Sequence, residues 1–153
     1  MTIIEIVKDC IREGDFTLSS GEKSIWLCDV FLVIDELAEI HLDYHIPLYG
    51  GVVVGIELGG ALISYKCFTN HGMVRKNEAV YLPVTYKSSP SIILLDDVVT
   101  TEKTMRRAES VLEKQGIPVS SRWCILDRRE PSARDNYVIN SLVKWEEIRS
   151  SRL

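Results

Sequence analysis

The sequence predicts an α/β domain built on a mostly parallel sheet, and three observations carry that reading. Residues 51–56, 91–95 and 122–126 form short, nearly continuous apolar runs, the pattern of strands buried on both faces. Segments of helical periodicity lie between these runs, and strands alternating with helices at such spacing imply crossovers onto a parallel sheet. No repeat, low-complexity tract or interdomain linker interrupts the 153 residues, so one domain covering 1–153 is expected at this length.

The elements follow in order. Thr2 and Glu5 have the spacing of a capping box, and Ile3, Ile4, Val7 and Ile11 recur at helical intervals. A first helix is therefore expected to run on towards a stop at Gly14. Turn chemistry around residues 19–21 precedes an expected strand over 24–28. Asp29 is placed to cap a second helix, with Val30, Val33, Ile34, Leu37, Ala38 and Leu42 on one face and Pro47 at its end. The run 51–56 leads through Gly59 and Gly60 into a helix over 61–67. The run 91–95 ends in Asp96 and Asp97 and passes through Thr100 and Thr101 into a helix that stops near Gly116. In sheets of this kind ligands sit beyond the carboxyl ends of the strands. Three such ends, 56–60, 95–104 and 126–130, are polar or glycine-rich.

Composition removes several function classes. Apolar residues make up 46% and charged residues 26%, so the chain is neither disordered nor fibrous. A net charge of −4 argues against a nucleic-acid partner, though not against a small phosphorylated ligand. No apolar run approaches the ~20 residues of a membrane span. The N-terminus is acidic where a signal peptide would be basic. A soluble, cytoplasmic protein with no membrane partner is expected. Cys10, Cys28, Cys67 and Cys124 form no C-x-x-C pair and read as reduced thiols. His41 and His45 stand four apart with no third metal ligand evident, and read as surface histidines.

The segment 92–104 carries the chemistry. An apolar strand delivers Asp96 and Asp97 to its exposed end, and a hydroxyl-rich loop with Thr100, Thr101 and Thr104 opens a helix. Free N–H groups at a helix start bind phosphate, and the helix dipole favours the anion. Paired carboxylates beside such a cradle suit ribose hydroxyls, directly or through Mg²⁺. The combined ligand is a ribose phosphate. Read blandly, the same residues are an acidic turn with helix-capping threonines.

This segment resembles the phosphoribosyl pyrophosphate (PRPP) motif of type I phosphoribosyltransferases: four apolar residues, two acids, two apolar residues, then T-T-G-x-T or T-T-G-x-S. Other stretches narrow the resemblance to orotate phosphoribosyltransferases. Residues 16–24 look like that family's F-x-L-x-S-G-x-x-S stretch, 55–60 like its G-x-x-x-G-G pyrophosphate loop, and 74–76 like the V-R-K that opens its catalytic loop. Residues 127–130 look like its D-R-x-E, and 141–148 like its closing strand and helix. The matches run in family order over nearly the whole chain.

The resemblance implies a type I phosphoribosyltransferase-like fold. It also implies transfer of phosphoribose from PRPP to orotate or a related base, with release of pyrophosphate. Asp96 and Asp97 would hold the ribose hydroxyls and, through ribose or water, Mg²⁺, with Asp97 nearer the developing positive charge. Val98, Val99, Thr100, Thr101, Glu102, Lys103 and Thr104 would surround the 5′-phosphate, and Glu57, Leu58, Gly59 and Gly60 would present N–H groups to pyrophosphate. Arg75 and Lys76 would neutralise pyrophosphate, while Phe16, Lys23 and Arg128 would hold orotate. A homodimer is the family's arrangement.

Two departures keep a second reading open, that of a catalytically impaired PRPP- or nucleotide-binding regulatory module. Glu102 stands where the motif has glycine. A carboxylate turned towards the phosphate would repel it, one turned outward would pair with Lys103, and a positive φ at this position would strain it. It could also occupy the helix start in place of phosphate. The second departure follows Lys76: residues 77–87 contain no histidine and no glycine and run almost directly into the next strand. A long mobile lid is therefore not expected.

Overall fold

In the computed structural model, which describes residues 1–18, 21–88 and 91–152, a six-stranded sheet carries the site. Its strands are β3 (Val52–Ile56), β4 (His71–Val74), β5 (Val80–Tyr81), β6 (Ile92–Val99), β7 (Ser121–Asp127) and β8 (Asn140–Lys144), in the spatial order β5-β4-β3-β6-β7-β8. All neighbours are parallel except β4 and β5. A two-stranded antiparallel hairpin, β1 (Ile11–Thr17) and β2 (Lys23–Cys28), stands apart from it. The helices are α1 (Ile3–Lys8), α2 (Ile34–Glu39), α3 (Gly59–Cys67), α4 (Lys103–Lys114) and α5 (Trp145–Arg152).

All five residues of β3 are buried, as a strand covered on both faces requires. Alternation divides them between two cores. Val53 joins Ile93, Leu95, Ile125 and residues of α1, α2 and α3, including Ile6, Leu37 and Ile63. Val52 and Val54 join Ile92 and Leu94 with Met105, Ala108, Val111 and Leu112 of α4. No helix among the described residues is long and apolar enough to cross a membrane.

Several expectations are corrected. The capping box of α1 forms, with Thr2 Oγ1 accepting from Glu5 N–H at 3.2 Å and Thr2 N–H donating to Glu5 at 2.9 Å. The helix nevertheless stops at Lys8, and Ile11 begins β1 opposite Cys28. Cross-strand pairing, sealed by Asp29 N–H on the Cys10 carbonyl at 2.9 Å, overrides the helical spacing of Ile11. The second helix is broken. A 3₁₀ turn (Val30–Val33) precedes α2, another (Leu42–Tyr44) follows it, and Asp29 makes no capping bond. The β-branched run Val33-Ile34 and the left-handed His41 (φ 55°) account for the interruptions. Its inner face is as expected at Val30, Val33, Leu37 and Leu42. Helix α3 starts at Gly59, two residues earlier than expected.

The four cysteines are free, with the Cys10 and Cys28 sulfurs 2.9 Å apart. His41 and His45 are exposed. No cluster of three metal-ligating side chains occurs among the described residues.

The most consequential difference concerns β6. It does not end at Leu95 but continues to Val99, because Val98 and Val99 pair with Leu126 and Asp127 of β7. On its other side, pairing with β3 ends at Gly55 opposite Leu95. Strand β6 therefore outruns β3 by several residues. Asp96 and Asp97 lie inside a strand, yet on a side whose neighbour has already turned away.

Candidate active site

The space left by the end of β3 is a cleft of about 490 Å³. Its walls are Ile56–Gly59 after β3, Val74–Lys76 and Glu78 after β4, Asp96 and Asp97 on β6, and Thr104, Arg107, Ala108 and Val111 on α4. The structure thus brings together Glu57, Leu58, Gly59, Arg75, Lys76, Asp96, Asp97 and Thr104 from four separate stretches of sequence.

Close backbone approach makes this possible. A Cβ on Gly59 would lie 2.0 Å from Asp97 Oδ2, and one on Gly60 would lie 2.3 Å from the Leu95 carbonyl oxygen. A side chain at Gly59 would push the Asp97 carboxylate aside, and one at Gly60 would run into the backbone of β6. The start of α3 is therefore pressed against the carboxylate strand. The Glu57–Leu58 peptide is cis.

The two carboxylates are not equivalent. Asp96 is buried, and its Oδ1 accepts the Asp97 N–H at 2.9 Å. Burial, and next the neighbouring Asp97 carboxylate, push its pKa well above the ordinary range. Asp97 is half-buried, and its Oδ1 accepts the Val98 N–H at 2.8 Å while Oδ2 abuts Gly59. Asp97 is the less buried of the two carboxylates and lines the cleft. Arg75 is not a free cation: its Nε donates to Glu57 at 3.0 Å, and this bond raises its pKa.

Val98 and Val99 lie within β6 rather than in a loop, and the phosphate-type turn is reduced to residues 100–102 ahead of α4. Glu102 has φ −87° and makes no capping bond, so it is unstrained and does not fill the helix start. Its counter-charges are Arg106, at 2.7 Å, and Arg129, at 3.2 Å, not Lys103. Arg129 is itself 2% exposed and grips the buried Asp127, with Nη2 3.0 Å from Oδ2. Asp127 also faces Arg134, whose Nη1 reaches Glu146 of α5 at 2.6 Å. A chain of ion pairs so links the turn before α4 to the last helix.

Phe16 and Lys23 are not in the cleft. They line a separate recess of about 480 Å³ on the hairpin, with Asp15, Thr17, Ser24 and Ile25. Ser19 and Ser20 of the same sequence stretch lie outside the described residues. Arg128 donates to Ser24 Oγ at 3.2 Å and to the Trp26 carbonyl at 3.4 Å, and stacks 4.5 Å over the Trp145 ring. It braces the hairpin against the α/β body, and burial lowers its pKa. The short turn after Lys76 is as expected. Arg75 N–H donates to Ala79 at 2.8 Å and Glu78 N–H to Arg75 at 3.0 Å.

Sequence reasoning missed Arg107 and Glu78 in the cleft, and the pairing of Glu102 with Arg129. Arg107 follows Thr104 by three positions on α4 and so shares its face. That spacing was a usable signal. The meeting of Glu102 and Arg129 depends on β6–β7 register and has no local signature.

A parallel sheet whose carboxylate strand outruns its neighbour beside a glycine-pair loop, with a short hydroxyl-bearing turn into α4, defines the type I phosphoribosyltransferase fold. An orotate phosphoribosyltransferase from Aeropyrum pernix has this fold, with a TM-score of 0.71, 21% identity and 98% of each chain covered. Two curated relatives of this chain carry the name orotate phosphoribosyltransferase. The protein of that name from Methanocella arvoryzae is 27% identical over 171 aligned positions, covering 95% of both chains. Its counterpart from Thermoplasma volcanium is 27% identical over 142 positions, covering 85% of this chain and 86% of its own. No family model matches the chain.

Proposed function

We propose that this protein is an orotate phosphoribosyltransferase-type enzyme that moves phosphoribose from PRPP to a ring nitrogen of orotate. The bond from the sugar's anomeric carbon to pyrophosphate breaks, a carbon–nitrogen bond forms, and the ring nitrogen gives up its proton. The observation that carries this reading is the placement of Asp97 between the glycine-pair loop and the first turn of α4. A sugar spanning those two anion sites would lie against that carboxylate. Its charge would then stabilise an oxocarbenium-like transition state in a site that is assembled beforehand.

The residues fit Mg²⁺ as a passenger of the substrate rather than as a resident of a protein cage. Two adjacent carboxylates face the cleft, no third ligand joins them among the described residues, and Mg²⁺ is commonly held by one or two carboxylates plus substrate phosphates. Asp97 is the better ligand, because it is the less buried of the two and burial raises the Asp96 pKa well above the ordinary range. Bound there, the ion would offset pyrophosphate charge. Lys76, the start of α3 and the turn 100–104 hold the remaining anionic groups in this reading. Phe16, Lys23 and Arg128 serve the base, the first two from the hairpin recess. The reading extends to a cytoplasmic homodimer, supported by the resemblance and tested by sedimentation.

The tight turn after Lys76 favours one other reading, PRPP binding without turnover. Mixing the protein with PRPP, Mg²⁺ and orotate and following orotate absorbance separates the two. Steady consumption, reduced by roughly 10²–10³-fold in Asp97→Asn, is expected, as for loss of one preorganised electrostatic group. No consumption by the wild type, with PRPP bound, would leave the binding module.

A further inference from the structure

Three cations line the cleft: Arg75, Lys76 and Arg107. The first two come from the turn after β4, whereas Arg107 comes from the facing wall, on α4. We propose that Arg107 is a pyrophosphate-binding residue, supplying from α4 the positive charge that a long lid would otherwise bring. This rests on the PRPP reading above and assigns a further residue to the same site.

The geometry leaves Arg107 free to do this. Its Nη2 donates to the Lys76 carbonyl at 3.0 Å, which uses one of the five N–H donors a guanidinium carries. Glu78 stands 4.0 Å away, and both side chains are more than half exposed, so that pair is weak. The bond to Lys76 fixes the guanidinium at the cleft wall with most of its donors unspent. A planar fork in that position suits two oxygens of one phosphoryl group.

Charge balance points the same way. The cleft's acids are Glu57, Glu78, Asp96 and Asp97, and its cations are Arg75, Lys76 and Arg107. Four acids face three cations, so Arg107 carries a third of the cleft's positive charge, and without it the acids outnumber the cations two to one. Arg75 cannot make up the difference, because Glu57 already holds it at 3.0 Å. Nor can the turn fold over the ligand. Its Arg75–Ala79 and Glu78–Arg75 backbone bonds close it upon itself, with Glu78 at φ 72°.

The test is calorimetric titration of pyrophosphate with Mg²⁺ into wild type, Arg107→Gln and Arg107→Lys, alongside melting temperatures and separate KM values for PRPP and orotate. Glutamine removes the charge and shortens the side chain, so the melting temperatures and Arg107→Lys separate loss of charge from loss of the tie to the Lys76 carbonyl. The expected result is pyrophosphate affinity lowered about 10- to 100-fold in Arg107→Gln, the loss of a charge-assisted contact. The PRPP KM should rise with it, the orotate KM and melting temperature should hold, and Arg107→Lys should recover part of the loss. Affinity and PRPP KM within about twofold of wild type in Arg107→Gln would overturn the assignment while leaving the enzyme reading intact. A wild-type protein that binds neither pyrophosphate nor PRPP would overturn both.

Discussion

Restoring glycine at position 102 should destabilise this protein, although glycine is what the motif it resembles carries there. The backbone offers glycine no advantage, because φ is −87°. What the change removes is the Glu102 carboxylate. Its contact with Arg129 is a charge-assisted hydrogen bond to a guanidinium only 2% exposed, and such bonds contribute about 1.5–3 kcal/mol. The pair with Arg106 is half exposed on that side, and pairs of that kind contribute only about 0.3–0.5 kcal/mol. Glycine adds roughly 0.4–1 kcal/mol of unfolded-state entropy. Together the loss is about 2–4.5 kcal/mol, which for a domain of this size lowers Tm by about 4–18 °C. Thermal unfolding of Glu102→Gly, followed by circular dichroism, measures it. Arg106→Gln is the control: it removes the surface pair and the cation–π contact of Arg106 with Tyr137, about 1–1.5 kcal/mol together, and should lower Tm by only about 2–6 °C. A Glu102→Gly variant as stable as wild type, or an Arg106→Gln variant equally damaged, would show that the Arg129 contact is not what holds the turn.

Two further outcomes are expected. Gly59→Ala places a Cβ 2.0 Å from Asp97 Oδ2; PRPP-dependent turnover should fall at least about tenfold, a misplacement effect, and kinetics on the folded variant check it. Asp96→Asn should raise stability at neutral pH. A buried carboxyl with a raised folded pKa keeps its proton while the unfolded chain loses it near the ordinary value of about 3.8, so stability declines as pH rises above that value. Asparagine keeps the acceptor for Asp97 N–H and removes this group's decline, so urea midpoints of the variant should fall less steeply than wild type as pH rises above about 4.

The parallel sheet was legible because β3, β6 and β7 are largely buried, which leaves short apolar runs bounded by polar or glycine-rich turns. The carboxylates and the glycine pair were legible because their chemistry is local: neighbouring residues at one strand end. Strand β1 was not. Its residues from Arg12 to Asp15 are exposed, so it carries no apolar alternation, and only pairing with β2 makes it a strand. The cleft's outer wall was hidden for a related reason. Arg107 and Lys76 lie thirty-one positions apart, and only the packing of α4 against the sheet brings them together. Phe16 and Lys23 show the reverse case: a stretch matched in sequence sits in a recess of its own, because the hairpin is a separate sheet.

The ion-pair chain from Glu102 through Arg129, Asp127 and Arg134 to Glu146 also sets an order of events during synthesis. The turn that opens α4 is made early, but its anchors are translated later, the last of them on α5. At about 5–20 residues per second, a ribosome that has just added Thr104 needs about 2–8 s more to reach Glu146. During that interval the nascent chain carries the phosphate-type turn without its restraints. Asp127, once translated, is a carboxylate that has yet to meet the second of its arginines.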